Sequence, residues 1–348
     1  MSYTCSVCSK ELNFYNHTYN GKPICHDCFD KKFAVCWFCD KLIPINESYN
    51  CGYHSHVCKH CLEVREMIIC EFCGKADYKW NFRNVKGKKR CSECYADYLK
   101  NDLNIHDHDF KPTPIFLNGK ERFKCRSRNP HIGIELEIQG DNREDFCLDL
   151  KKEFSDEKLI YLKEDGSLSE ERGVEIVTQP MTYNFIKNSN LFCNLFNKMK
   201  MFSMNDTDNC GLHFHIDRNC FCKQSDIATI DYIVNNFTNY FETIGGRYFN
   251  EDWCAVADKD DDEWGYNSED YDRYHAVNLE NENTVELRFC KSTNDYDTFM
   301  NRVKMVFNVI YFAKKYQIKS IMHWGRKEFI NRMNKICFEK FGSIVECA

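Results

Sequence analysis

The chain has 348 residues, enough for two or three domains that each bury a hydrophobic core. Its apolar and charged fractions, 43% and 29%, are ordinary for a soluble protein, and a formal net charge of −6 excludes polyanion binding by net charge alone. The first ten residues are polar and contain two cysteines, unlike a secretory signal peptide, and no run of about 18 apolar residues is long enough to cross a bilayer.

The 23 cysteines are concentrated near the start of the chain, where 13 precede residue 95. Most of these early cysteines form C-x-x-C pairs, whereas the later ones are mostly single. Secreted disulfide scaffolds are usually short and carry an export signal. The pattern therefore predicts metal-bound and reduced thiols in a cytoplasmic protein.

A repeat of two C-x-x-C pairs predicts three tandem zinc modules, at about 1–33, 34–67 and 68–99. Two residues between cysteines let one tight turn present two sulfurs, and two such turns complete a tetrahedral zinc site. We expect three closed structural Zn²⁺ sites. Sequential pairing is the simplest arrangement, and cross-braced pairing between units is an alternative. The predicted ligands are Cys5, Cys8, Cys25, Cys28, Cys36, Cys39, Cys58, Cys61, Cys70, Cys73, Cys91 and Cys94.

Within the modules, Asn20–Gly21 and Lys86–Gly87 predict hairpin turns between short strands. The second module also contains spare ligand types, and we expect them to be bystanders because the cysteines fit the repeat better. These spare residues are Cys51, His54, His56 and His60.

The third module carries a basic hairpin over residues 79–90, in which Trp80 and Phe82 alternate with cationic side chains. Basic residues with interleaved aromatics are typical of nucleic-acid contact, and protein contact is an equal alternative. A solvated hairpin tip is the plainer interpretation. The cationic residues are Lys79, Arg83, Lys86, Lys88, Lys89 and Arg90.

Residues 95–104 are expected to form a short helix that closes the third module, and residues 100–128 a linker with one short strand near 115–117. His106 and His108 lie in this linker and are not expected to bind a metal.

The remaining region, 129–348, contains four segments that alternate apolar and polar residues, at 133–138, 173–178, 211–216 and 284–289. This period predicts β-strands with the apolar side chains on one face. Helices with apolar spacing at 226–244 and 296–316 would cover that face, with Asp226 and Asn294 as weak candidate caps. The predicted core residues are Ile134, Leu136, Ile138, Val174, Ile176, Leu212, Phe214, Ile216, Val285, Leu287 and Phe289.

The polar faces of these strands carry glutamate, histidine and arginine rather than the threonine and lysine of an idle solvent face. Carboxylates crowded on one face repel one another unless cations lie between them. Oxygen ligands with imidazole suit Mg²⁺ or Mn²⁺, particularly beside phosphates. A salt-bridged exposed sheet is the alternative.

The motif order G-I-E-x-E, D-G-S-L with G-V-E-I-V, C-G-L-H-x-H and V-N with E-L-R-F resembles the amidoligases, over roughly residues 130–310. These are ATP-dependent carboxylate–amine ligases of the glutamine synthetase type. The resemblance implies an α+β fold with a curved antiparallel sheet, covering helices, bound ATP and divalent ions. It also implies an acyl phosphate intermediate, and the zinc modules suggest that they hold the acceptor, a peptide, protein or other macromolecule.

The resemblance also implies residue roles. Glu135, Glu137, Glu175, His213 and Glu286 are the expected Mg²⁺ ligands. His215 and Arg288 are the expected phosphate contacts, and Asp165 is the expected acid that receives the amine. Ser167 and Asn278 are weaker candidates for nucleotide contact, and Arg247 and Arg273 are weaker still for a substrate carboxylate.

Three other functions fit parts of the sequence. One is a zinc-finger protein that binds nucleic acid or protein and carries an inactive ligase-like domain. Another is a metal-dependent nuclease, and a third is a hydrolase that uses Cys210 with His213 or His215. The acidic segment 250–275 is expected to be a solvated loop, with a lid or a cradle for a cationic amine as the alternative.

Overall fold

The chain folds into two compact units, Met1–Asn101 and Asp102–Ala348. The computed structural model describes residues 3–15, 17–52, 55–117, 129–249, 254–256 and 275–345. His54, Arg273 and nearly all of the acidic segment 250–275 lie outside the described residues. Among the described helices, none is both long and apolar enough to cross a membrane.

The first unit repeats one architecture three times. A pair of short strands flanks the first C-x-x-C turn, a second hairpin follows, and a short helix begins directly after the third cysteine. Consecutive strands pair antiparallel, β1 with β2, β3 with β4, and so on to β12. The strands are β1 (Tyr3–Thr4), β2 (Glu11–Leu12), β3 (His17–Tyr19), β4 (Lys22–Ile24), β5 (Phe33–Val35), β6 (Leu42–Pro44), β7 (Ser48–Asn50), β8 (His56–Cys58), β9 (Met67–Ile69), β10 (Ala76–Tyr78), β11 (Phe82–Val85) and β12 (Lys88–Cys91). The helices are α1 (His26–Lys32), α2 (Lys59–Val64) and α3 (Ser92–Tyr98).

Two predicted hairpin turns are confirmed. Asn20–Gly21 connects β3 to β4, and Lys86–Gly87 connects β11 to β12. All four residues have positive φ, between 50° and 81°. A two-residue turn of this type needs positive φ at both central positions, because its twist then matches that of the flanking strands.

The second unit is built on a seven-stranded mixed sheet with the order β13-β15-β16-β14-β17-β19-β18. Neighbouring strands are antiparallel except β13 and β15, which are parallel. The strands are β13 (Ile105–His106), β14 (Ile132–Gln139), β15 (Ile160–Lys163), β16 (Gly173–Thr178), β17 (Gly211–Asp217), β18 (Val277–Asn278) and β19 (Thr284–Lys291). The helices are α4 (Arg143–Phe154), α5 (Tyr183–Asn188), α6 (Leu191–Met201), α7 (Gln224–Asn236), α8 (Thr238–Gly245), α9 (Tyr296–Lys315), α10 (Ile318–Ile321) and α11 (Arg326–Phe341).

The predicted core face of the sheet is confirmed. All eleven predicted core residues are at most 2% exposed. Helix α9 contributes a further buried stripe and packs against α7, α8 and α11. Since successive residues of a strand point to opposite faces, the glutamates and histidines between the core residues face the other way.

Three local expectations are corrected by the structure. The helix expected over 226–244 is two helices, α7 and α8, separated at Phe237. The cap of α9 is Asp295 rather than Asn294, since the Asp295 side chain accepts a hydrogen bond from Thr298 N. Within the expected linker, the paired strand is Ile105–His106, while Leu117 makes only an isolated bridge to Met181.

Candidate metal centres

The twelve predicted cysteine ligands form three groups of four, and each group is drawn from one module. Sequential pairing is therefore confirmed, and the cross-braced alternative is excluded. Sulfur–sulfur distances between the two turns are 3.6 Å for Cys8–Cys25, 3.9 Å for Cys39–Cys58 and 3.7 Å for Cys73–Cys91. A tetrahedron with zinc–sulfur bonds of about 2.3 Å has edges of about 3.8 Å. Each group therefore fits a zinc ion, and the distances are far too long for a disulfide.

One hydrogen bond recurs at the same place in every module. The backbone N–H of the third cysteine donates to the sulfur of the first, over 3.3–3.4 Å. Burial opposes ionisation of Cys5, Cys36 and Cys70, but the backbone N–H donors around them outweigh it and lower the pKa of each thiol to about 6. The first cysteine of each module is thus prepared to bind metal as a thiolate.

The spare ligand types of the second module that lie in the described residues are outside its four-cysteine group. His56 Nδ1 is 2.8 Å from Ser48 Oγ, and His60 is exposed. Cys51 packs against the hydrophobic cluster of the module without entering the four-cysteine group.

A second kind of site lies on the sheet face opposite the core. We call this set the acidic face, and it consists of Glu135, Glu137, Asp165, Glu175, His213, His215, Glu286 and Arg288. Strand register brings most of it together. Glu135 lies opposite His213, and Glu137 opposite Glu175. Glu286 lies opposite His215 on one side and Asn278 on the other.

One group of the acidic face combines Glu135, His215 and Glu286, whose ligand atoms all lie within 4.8 Å of one another. His215 Nε2 is 3.1 Å from Glu135 Oε2 and 3.9 Å from Glu286 Oε1. Two carboxylates and one imidazole from three different strands thus converge on one point. Such a set suits a small divalent cation that also retains water or phosphate ligands.

The other group consists of carboxylates only, namely Glu137, Asp165 and Glu175, again within 4.8 Å of one another. Asp165 comes from the loop between β15 and β16, where its Oδ1 accepts hydrogen bonds from Ser167 N at 2.8 Å and Ser167 Oγ at 2.5 Å. The structure therefore places Asp165 beside the predicted metal ligands, and Ser167 orients it.

His213 lies between the two groups. Its Nδ1 is 3.6 Å from Glu135 Oε2, 3.8 Å from Glu137 Oε1 and 3.9 Å from Glu286 Oε1. The sequence predicted His213 as a metal ligand and His215 as a phosphate contact. In the structure it is His215 that joins the first ligand group, while His213 contacts carboxylates of both groups.

Burial and the crowding of charged groups shift the pKa values of side chains in the acidic face. Burial raises the pKa of Glu175 well above its usual range, and the Glu135 carboxylate adds to this effect. Burial also raises the pKa of Glu137, with Asp165 contributing. Burial opposes the charged form of His215, but Glu135 and Glu286 outweigh it and raise the pKa of His215 to about 9.

Among the described residues, Arg288 of the acidic face and Lys163 beside it contact its carboxylates, and the sequence analysis identified only Arg288. Arg288 Nη1 donates to Glu286 Oε1 over 2.5 Å, and the buried Arg288 Nε has no hydrogen-bond partner among the described residues. Lys163, which the sequence analysis did not identify, has its Nζ 3.3 Å from Glu175 Oε2. Lys163, Arg288 and the protonated form of His215 together supply three positive charges against five carboxyl groups. Additional divalent ions would therefore relieve the remaining repulsion.

Asn278, a predicted nucleotide contact, forms a hydrogen bond with the predicted metal ligand Glu286. Its Nδ2 donates to Glu286 Oε2 over 2.8 Å, and its Oδ1 accepts from Glu280 N. Arg247, which was considered for a substrate carboxylate, donates to the backbone carbonyls of Asp208 and Cys210, just before β17. Both residues therefore fix parts of the site in position.

Cys210 does not form the nucleophile–histidine pair of a hydrolase. Its sulfur is buried and lies 3.2 Å from Thr207 Oγ1 and 3.8 Å from Gln139 Nε2. Burial raises the pKa of its thiol, which disfavours the reactive thiolate.

Gly211 is a positioning residue that the sequence analysis also missed. Its N–H donates to Glu137 Oε2 over 2.5 Å, and a Cβ at this position would overlap the His213 ring.

We expect Gly211→Ala to displace His213 and to weaken Mn²⁺ binding about 10- to 100-fold, as loss of a ligand-orienting partner does. Titration calorimetry of the purified chain with Mn²⁺ measures this affinity. Gly325→Ala, at a position with open space, is the control and should bind normally. Unchanged Mn²⁺ affinity in Gly211→Ala would contradict the positioning role of Gly211.

Comparison of the chain with protein-family models gives no match, and neither does comparison with curated proteins.

Proposed function

We propose that the second unit is an ATP-dependent carboxylate–amine ligase with a sheet of the glutamine synthetase catalytic type. One observation carries the proposal: two adjacent ligand groups, Glu135–His215–Glu286 and Glu137–Asp165–Glu175, occupy one sheet face. The order of the motifs that supply these residues supports the same reaction class.

The donor set fits divalent ions bound together with a polyphosphate. Five carboxyl groups and two imidazoles provide hard oxygen ligands and a few nitrogens, as Mg²⁺ or Mn²⁺ requires. Bound ions of this kind would neutralise phosphate oxygens and lower the barrier to phosphoryl transfer. In the proposal Arg288 also neutralises phosphate charge, which is supported by its buried Nε having no acceptor among the described residues.

The proposed reaction has two steps. A substrate carboxylate oxygen attacks the γ-phosphorus of ATP, so that an acyl phosphate forms and ADP leaves. The amine then attacks the acyl carbon, inorganic phosphate leaves, and one proton is lost from the nitrogen. Asp165, whose carboxylate accepts a hydrogen bond from Ser167 Oγ, accepts this proton in the proposal. Lys163 forms an ion pair with Glu175 and so partly neutralises the charge of that carboxylate in both steps.

The zinc modules have a separate role in the proposal. Four thiolates around each Zn²⁺ leave no open coordination position, so these sites stabilise structure rather than perform chemistry. We propose that the modules hold a macromolecular substrate, which then meets ATP and a small carboxylate or amine at the acidic face.

The experiment measures ADP release by the full chain with Mg²⁺ and ATP. The probes are a pool of amino acids and polyamines, with and without a mixture of peptides. A ligase releases ADP only when both a carboxylate and an amine are present, and mass spectrometry finds a conjugate that has lost one water. Mg²⁺-dependent DNA cleavage without ATP would instead identify a nuclease, and an absence of both activities would reject the ligase.

A further inference from the structure

The basic hairpin of the third zinc module contains positive charge that the protein itself does not neutralise. Among the described residues, Lys79, Lys86, Lys88 and Lys89 are exposed and make no ion pair with a carboxylate. The nearby acids accept hydrogen bonds from groups other than these ammonium ions, and Glu71 does so at the hairpin itself. Glu93 pairs with Lys75 Nζ at 2.6 Å, Glu71 accepts the backbone N–H of Lys89, and Asp77 accepts from Tyr78 N and Asn81.

The two arginines of the hairpin are committed to its structure. Arg83 and Arg90 lie directly opposite each other across β11 and β12, an arrangement of like charges that destabilises a hairpin. The Arg90 guanidinium lies 3.8 Å from the centre of the Phe72 ring and 4.4 Å from that of Tyr98. Arg83 Nη1 donates to the carbonyl of Trp80 over 3.1 Å. These contacts hold the hairpin in shape while the lysines remain exposed.

An exposed aromatic ring directly follows Lys79 in the chain. Trp80 is 65% exposed, and its ring stacks on Tyr78 with 4.5 Å between centroids and an angle of 8°. One face of the indole is thus supported, and its other face is available to a further planar ring. Base stacking on such a platform contributes to binding whatever the base, because every base has a π-face.

We propose that this hairpin binds single-stranded nucleic acid around its edge through Trp80 and the lysines at 79, 86, 88 and 89, since Lys88 and Lys89 face opposite sides of β12. Phosphates pair with the lysines, and an unstacked base lies on Trp80. An acidic peptide offers the charge but no planar ring for the indole, and a duplex hides the faces of its bases. The four residues of β11 extend about 13 Å, so the site holds only a few nucleotides.

The test is fluorescence anisotropy of the zinc-loaded full chain with a labelled 12-residue oligo(U) and oligo(dT), at about 50 and 200 mM salt. Trp80→Ala should weaken binding about tenfold, the range found for loss of one stacked base. Trp37→Ala is the matched control, because Trp37 is 69% exposed in the second module and stacks on no ring among the described residues. It should change affinity less than twofold.

A second pair of variants tests the charge. The double substitution Lys88→Gln, Lys89→Gln should lower the slope of log affinity against log salt by about 1.4, since each single-strand phosphate contact contributes about 0.7. Lys31→Gln, Lys32→Gln, two exposed lysines at the end of α1, should leave the slope unchanged. Zinc content and melting temperature equal to those of the wild type show that each variant is folded.

Three results would overturn the proposal. The first is no binding by the wild type at about 100 μM protein and about 50 mM salt, conditions that reveal even non-specific affinity. The second is an equal loss of affinity in Trp80→Ala and Trp37→Ala. The third is polyglutamate binding as tightly as the oligonucleotides with no effect of Trp80→Ala, which would identify an acidic-peptide surface.

Discussion

Glu135→Gln is expected to lower ATP turnover at least about a thousandfold. Glu135 is the member of the first ligand group closest to His215, and it also contacts His213. Glutamine keeps the size of the side chain and removes its charge, so a divalent ion loses a charged oxygen ligand. Loss of several kcal/mol of transition-state stabilisation corresponds to about this rate decrease.

Ion binding itself gives a readout that does not depend on finding the substrates. Mn²⁺ at 100 times its dissociation constant should stabilise the wild-type fold by about 2.7 kcal/mol. For a unit of this size that is a rise in melting temperature of roughly 5–10 °C. Glu135→Gln should lose most of this rise.

Glu171→Gln is the matched control, since Glu171 is exposed and undergoes the same change of charge. Full ATP turnover and a normal Mn²⁺-induced rise in Glu135→Gln would remove the metal assignment. Loss of turnover with a normal Mn²⁺-induced rise would keep Glu135 in the chemistry and exclude it as a ligand needed for ion binding.

Removing zinc is expected to unfold residues 1–101 while the seven-stranded sheet stays folded. The buried cluster around the second module is small, and half of its members are predicted zinc ligands: Cys36, Cys58 and Cys61, with Val57 and Met67 and with Ala76 of the third module. A core this small cannot offset the conformational entropy of its chain. Structural zinc supplies on the order of 10–16 kcal/mol in comparable modules.

Limited proteolysis with and without a chelator measures this difference. The cuts should appear first between residues 1 and 101, and a fragment that contains β14–β19 should survive. Cys58→Ser should reproduce the effect in the second module. Cys51→Ser should not, because Cys51 belongs to the same module but lies outside the four-cysteine group. Simultaneous digestion of both units, or equal effects of the two variants, would argue against this view.

The sequence predicted best those features that depend on short-range spacing. The C-x-x-C turns and their pairing follow from local geometry, and alternation located β14, β16, β17 and β19 to within two residues at each end. In these strands the apolar residues other than Val177 fall on one face, so the pattern favours one interpretation.

Features that depend on register could not be predicted in this way. Alternation places His213 and His215 on one face but does not say which of them meets Glu286 or Glu135. That depends on the pairing of β17 with its neighbours, and on the bulge where His213 faces both Arg288 and Phe289. Lys163 was missed because β15 has only four residues, too few for a clear period.

The break between α7 and α8 has a different cause. Asn235 and Asn236 donate side-chain hydrogen bonds to the carbonyls of Asp231 and Tyr232, one turn earlier. Such bonds compete with the helical backbone pattern. Apolar spacing continues across the break, so periodicity alone predicts one long helix there.

The placement of Glu135 and Glu137 on one strand has a consequence for any pair of cations held here. Same-face neighbours in a strand are about 6.8 Å apart along the backbone, and each of the two residues belongs to a different ligand group. The distance between two bound ions would then be set by the spacing of alternate residues along β14. Side-chain substitutions could alter how tightly either ion is held, but only inserting or deleting a residue in β14 could change the interval, and a shift of one residue would turn one carboxylate into the hydrophobic interior.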